Sequence, residues 1–145
     1  MASPVTQNYA NHVRFDPLFH FFALPVVGLT VIAAIVHAVQ RPSLFSIWLV
    51  VFSAAVVVVT LKARLYALRV QDRLIRLEER ERLEKLLTGP LRSRIAELTE
   101  RQLIALRFCC DAELQGLVQQ TVEKNLASPD IKKSVQVWRP DFFRV

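Results

Sequence analysis

The sequence predicts an all-α membrane protein. It reads as a two-helix transmembrane hairpin, its second helix continuing as a long cytoplasmic stalk, plus a small C-terminal helical unit. Three observations predict this. The chain has 145 residues, 52% of them hydrophobic and 22% charged, with a mean hydropathy of +0.29, high for a soluble domain of that size. Two stretches without Asp, Glu, Lys or Arg, Leu18–Val39 and Leu44–Leu61, are each long enough to cross roughly 30 Å of hydrocarbon. Finally, Leu44 to Leu87 contains neither Gly nor Pro, so nothing there stops a helix. The same composition excludes a disordered tail, a collagenous repeat and a disulfide scaffold.

Residues 1–17 form a cytoplasmic N-terminal segment without periodicity, and Tyr9, Phe15, Phe19, Phe21 and Phe22 cluster where the chain should meet the headgroups. Residues 18–39 are the first transmembrane helix, in which Pro25 and Gly28 invite a kink or a close helix approach. A signal sequence is the competing reading, because Val36 and Ala38 have the size of a cleavage site. The apolar stretch is too long for that, and the first helix is expected to be retained. The external loop 40–43 is short enough to force an antiparallel hairpin, and Ser43 can cap the next helix.

The second transmembrane helix, residues 44–61, runs on without a break into the stalk, residues 62–88, where Glu78/Arg82, Glu81/Lys85 and Arg80/Glu84 have helical spacing. Thr88-Gly89-Pro90 stops it. Residues 89–145 then form a small cytoplasmic helical domain, marginal as an independent core. Thr99 and Gln102 form a capping box, Asp111 opens a segment with Leu114, Leu117, Val118 and Val122 on one face, and Ser128-Pro129-Asp130 starts another helix.

Seventeen of the 19 basic residues and 12 of the 13 acidic ones lie from Lys62 onward. Orientation follows the Lys and Arg beside the spans. Lys62, Arg64, Arg69, Arg73 and Arg76 follow the second span, while the loop holds Arg41 alone. Both termini are therefore expected in the cytoplasm of a bacterial inner membrane. The cluster Lys62, Arg64, Arg69 and Arg73 is expected to touch anionic lipid.

Catalytic signals are missing. The chain has no G-x-S-x-G, H-E-x-x-H or Gly-rich phosphate loop. His20 and His37 lie about 25 Å apart on one helix, too far to share a metal or haem, and no cofactor is expected. The adjacent Cys109 and Cys110 read as small buried hydrophobes in a reducing compartment. Leu98-Thr99-Glu100-Arg101-Gln102-Leu103 has a faint look of a helix-turn-helix. The helix after it carries Asp111, Glu113 and Glu123 against Lys124, the wrong sign for phosphate contacts, so no nucleic acid is expected.

The stalk is the informative part. Leu61, Leu65, Leu68, Ile75, Leu83 and Leu86 form one apolar stripe, interrupted by Asp72 and Glu79. Tyr66, Val70, Leu74 and Leu77 form a second stripe on the other side. A surface helix needs one apolar face. Either the C-terminal helices cover one stripe and another chain the other, or the C-terminal unit wraps around both. Asp72 is expected to pair with Arg69, Arg73 or Arg76 and fix packing, since an unpaired buried carboxylate costs several kcal/mol. Trp138, Phe142 and Phe143 at the end of the chain are expected to dock on the stalk or a partner, with a lipid-interface anchor as the alternative.

Four stretches carry a resemblance. Ala63–Arg80 (ARLYALRVQDRLIRLEER), Asn8-Tyr9-Ala10-Asn11-His12, Leu98 to Phe108 and Trp138 to Val145 resemble motifs of an uncharacterised family of short bacterial two-helix membrane proteins. The resemblance covers nearly the whole chain and brings no known activity, ligand or catalytic residue. Small Ala or Ser residues would be usual in that family at Cys109 and Cys110. The reading that follows is a non-catalytic inner-membrane scaffold or accessory subunit binding a protein partner, or itself, through its stalk and C-terminal helices. A membrane-tethered regulator and a homo-oligomeric membrane assembly are the alternatives.

Overall fold

The computed structural model describes residues 7–13 and 15–141. Every regular element among them is helical. A π-helical turn, Leu18–Ala23, leads into α1, Leu24–Gln40, and α2 spans Leu44–Leu86. Then come α3 (Pro90–Ser93) with a 3-10 turn (Arg94–Glu97), α4 (Glu100–Leu106), α5 (Asp111–Lys124) and α6 (Ser128–Ser134). Two helical stretches, Leu18–Gln40 and Leu44–Leu86, are long and apolar enough to cross a membrane.

The described residues divide into two compact units, one of residues 15–69 and one of residues 7–13 with 70–141. In the first, the π-helical turn lies just before Pro25, which has no N–H to donate and whose ring crowds the carbonyl four residues back. The expected irregularity at Pro25 therefore falls on the turn ahead of it. Asp16 opens this helix by accepting hydrogen bonds from the Leu18 and Phe19 amides at 3.1 and 3.3 Å. Ser43 caps α2 as expected: its Oγ accepts from the Ser46 amide at 3.1 Å, and Ser46 Oγ accepts in return from the Ser43 amide at 2.9 Å.

The second unit has its own core. Leu83 and Leu87 pack with Leu91, Ile95, Leu103, Leu106, Leu114, Val118 and Ile131. The helix stop forms where Thr88-Gly89-Pro90 predicts it, with Gly89 at φ +61° and Pro90 opening α3. That backbone angle favours a residue without a Cβ. The capping box forms as well: the Gln102 amide donates to Thr99 Oγ1 at 3.3 Å and the Thr99 amide to Gln102 Oε1 at 2.8 Å. Gln102 then uses its amide group to donate to Asn125 Oδ1 and the Leu126 carbonyl, tying α4 to the end of α5. Asn125 closes α5 in the left-handed conformation.

Candidate functional site

The candidate site grows from one face of α2 within this second unit. Ile75, Glu79 and Leu83 recur at helical spacing, and all three are buried. Glu79 is 4% exposed, so its charge needs partners. Its two oxygens accept from Arg82 Nη1 at 2.9 Å and from Arg139 Nη1 at 3.3 Å. Burial raises the Glu79 pKa above its usual value, against the opposing pull of Arg82, Arg139 and Arg107. Arg82 continues the chain of contacts. It donates to the Cys109 carbonyl at 2.6 Å and to Asp111 Oδ1 at 2.6 and 2.9 Å, fixing the turn between α4 and α5 to the helix.

Beside this ion network lies an aromatic cluster. Phe108 is fully buried, with the Trp138 ring at 4.9 Å and the His12 ring at 5.8 Å between centroids. The guanidinium of Arg107 lies 4.5 Å and the Lys132 ammonium 5.7 Å from the Phe108 centroid. A short extended pairing holds Trp138 there: Arg139 N–H donates to the Phe108 carbonyl at 2.7 Å and Cys110 N–H to the Val137 carbonyl at 3.2 Å.

His12 is positioned from both sides. Its Nε2 is 3.2 Å from Lys132 Nζ, and its Nδ1 is 2.7 Å from the Tyr9 carbonyl. An ammonium can only donate, so Nε2 is the acceptor and Nδ1 carries the proton. Asn8 and Asn11 close the turn before it through side-chain-to-backbone bonds of 2.6, 2.9 and 3.2 Å. Gln7 Oε1 accepts from the Asp141 amide at 2.8 Å, and Asp141 pairs with Arg107 at 3.3 Å. The N-terminal segment is thus sewn onto residues 107–141 of the same unit. Residues from all four stretches that carry the resemblance meet here: His12, Glu79, Phe108 and Trp138.

Comparison with models of protein families matches a family of unknown function, DUF6526, over residues 1–145. The chain belongs to the DUF6526 family. Neither the curated proteins nor the solved structures contain a match.

In this DUF6526 chain the expected site residues fall into two groups. Within residues 15–69, Lys62, Tyr66 and Arg69 are exposed, with the Lys62 ammonium 5.7 Å from the Tyr66 ring centroid. Arg64 departs from the lipid-contact expectation. It pairs with Asp16 at 3.5 Å and covers the Phe19 ring at 5.3 Å, with its side chain 13% exposed. The acid that takes up its charge lies 48 residues earlier, ahead of the first span. Within the second unit, Val70, Arg73 and Leu74 are exposed, and Trp138 is half-buried in the aromatic cluster. Phe142 and Phe143 lie outside the described residues.

Asp72 is a correction. It is exposed, and Arg76 donates to its backbone carbonyl while pairing through its side chain with Glu100. The packing acid is instead Glu79, the other interruption of the same stripe. Asp72 and Glu79 share a helix face, seven residues apart, but among the described residues Ile75 and Glu79 are buried while Asp72 is exposed. Sequence reasoning assigns no role to His12 or Arg107, whereas Arg139 has its matching acids on the stalk and pairs there with Glu79. The signal for those two is their place inside the quoted motifs, His12 in Asn8–His12 and Arg107 in Leu98–Phe108.

A cleft of about 210 Å³ opens beside Glu79, lined by Leu74, Ile75, Glu78, Arg107, Arg139 and Asp141 among others. Burial, followed by the nearby Glu113 and Cys110, pushes the Cys109 thiol up to about 12, which keeps it protonated and poorly nucleophilic. Among the described residues no group of three His, Cys, Asp or Glu side chains is arranged to hold a metal ion.

Proposed function

We propose that this DUF6526 chain is a non-catalytic scaffold or accessory subunit of the bacterial inner membrane. It is anchored by a two-helix hairpin with both ends in the cytoplasm, and its stalk and C-terminal helices bind a protein partner. The observation that carries the reading is the attachment of residues 7–13 to residues 107–141. Segments ahead of the first apolar helix and beyond the second share one compact unit, so they lie on one side of any membrane crossed between them. Two crossings satisfy that.

Other features support it. Merely 6% and 11% of the apolar windows of the two long helices are buried, unlike the core helix of a soluble protein. The Asp16–Arg64 pair brings the start of the first apolar helix beside the end of the second, as a hairpin requires. The excess of Lys and Arg after Leu61 orients it, and the exposed Lys62, Arg69 and Arg73 suit anionic headgroups. The ionic groups of the candidate site are engaged with one another, Glu79 with Arg82 and Arg139 and Arg107 with Asp141, an arrangement that holds segments together.

Cysteine labelling in intact cells tests the topology. Pro42→Cys should react with an impermeant reagent, and Ser134→Cys should react after the membrane is permeabilised and not before. The reverse pattern would sink the reading.

A further inference from the structure

The lower half of α2 has two apolar faces, and its own unit covers one of them. Ile75, Glu79 and Leu83 point into that unit, whereas Val70, Leu74 and Leu77 are 66%, 54% and 66% exposed. At about 100° per residue the three exposed side chains fall within about 60° of arc, on the side opposite the buried face. Their four-then-three spacing is that of a coiled-coil seam. Arg73 and Glu78 stand on opposite flanks of it, both exposed. The acids Glu81 and Glu84 follow Leu77 along the same line and end the apolar stretch.

We propose that the partner on this face is a second copy of the chain. The two α2 helices pack in parallel, Val70, Leu74 and Leu77 meet their own counterparts, and Arg73 of each copy pairs with Glu78 of the other. The proposal deepens the scaffold reading and rests on its membrane anchor for the parallel orientation.

Charge decides the direction. In a parallel pair related by a twofold axis, opposite flanks meet with an offset of about five residues, and five residues separate Arg73 from Glu78. Both cross-pairs then form by symmetry. In an antiparallel pair each flank meets itself, setting Arg73 and Arg80 against the same arginines and Glu78 against Glu78, which is repulsive. Size argues for an anchored copy. Three apolar side chains per copy fall well short of the roughly 1,200–2,000 Å² of a stable soluble interface. Copies held in one membrane with the same orientation present their stalks in parallel at high effective concentration, which makes up the difference. Lipid is the weaker occupant, because this seam starts nine residues beyond Leu61, about 13 Å along a helix.

Disulfide crosslinking of the full-length chain in phosphatidylglycerol–phosphatidylethanolamine vesicles tests it, in a Cys110→Ser background. Val70→Cys, Leu74→Cys and Leu77→Cys should each give a crosslinked dimer, at least tenfold more than Asp72→Cys on the opposite face. Arg73→Glu or Glu78→Arg alone should reduce the Leu77→Cys dimer several-fold, and the two together should restore it. Rescue by the double reversal separates pairing from misfolding. No dimer at the three positions in a chain that still floats with vesicles overturns the pairing and leaves the anchor standing. A crosslink at a single position indicates a crossing or antiparallel contact and overturns it too, as does a crosslinked band heavier than a dimer that contains another protein. A chain that fails to float overturns the anchor, and the same crosslinks then judge the pairing by the same criteria.

Discussion

Glu79 shows how little of a buried charge is written in its own neighbourhood. Asp72 and Glu79 interrupt the same stripe of α2, and helical phase alone cannot separate them. What does so is the packing of distant residues such as Arg139, 60 positions on, which no window around either acid contains. Glu79→Ala leaves the half-buried Arg82 with Asp111 as its remaining acid, and should cost about 1–3 kcal/mol, read as a lowered melting temperature. Glu79→Gln keeps an acceptor for Arg82 and should cost less. The pH dependence has a definite sign. Burial raises the folded-state pKa of Glu79 above its ordinary 4.5, so protonation favours the folded unit. Its stabilising effect is full below about 4.5 and is lost as pH rises through the raised value. The stability of Glu79→Gln relative to the native chain should therefore improve as pH climbs through that window. A pH-independent difference would show that the arginines offset the desolvation completely. Phe108, fully buried among rings and cations, is a simpler case: Phe108→Ala should cost about 3–5 kcal/mol.

At the scale of elements, the helix boundaries were legible because each rests on local chemistry. Ser43, the Thr99–Gln102 box and Gly89-Pro90 act within a few residues of themselves, and all of them form. Gly89 gives a sharp prediction. Its φ of +61° is one that a side chain strains, so Gly89→Ala should lower stability by about 1–3 kcal/mol even though nothing stands within 4 Å of the added Cβ. Thermal melts of the purified chain measure it, and an unchanged melting temperature would mean that the turn relaxes. The two stripes of the stalk were also legible, as was the choice between covering one and covering both. The structure leaves Val70, Leu74 and Leu77 open, so the C-terminal helices do not wrap around both stripes. The sequence did not show that Arg64 turns to Asp16, because 48 residues separate them and no local period links them.

At the scale of the whole molecule, the least legible feature was the attachment of the N-terminal segment. Tyr9, expected among anchors for headgroups, stacks on His12 at 5.5 Å and lies under the Lys133 ammonium at 5.9 Å. The Lys132–His12 contact joins residues 120 positions apart, beyond the reach of periodicity or propensity. Deleting residues 1–13 should uncover Phe108 and Trp138, and hydrogen exchange should then speed up at the Cys110 and Arg139 amides, which hold the short extended pairing. Unchanged protection there would show that residues 107–139 hold themselves. The attachment also imposes an order on synthesis. His12 is made before both apolar helices, whereas Lys132 and Trp138, which complete its landing place, are made after them. Throughout translation of both apolar helices the N-terminal segment has nowhere to land, and closing a loop of that length is a slow step compared with local folding. A chain interrupted before Trp138 leaves His12 without that ring to pack on, so synthesis of residues 132–138 is the event that closes the unit.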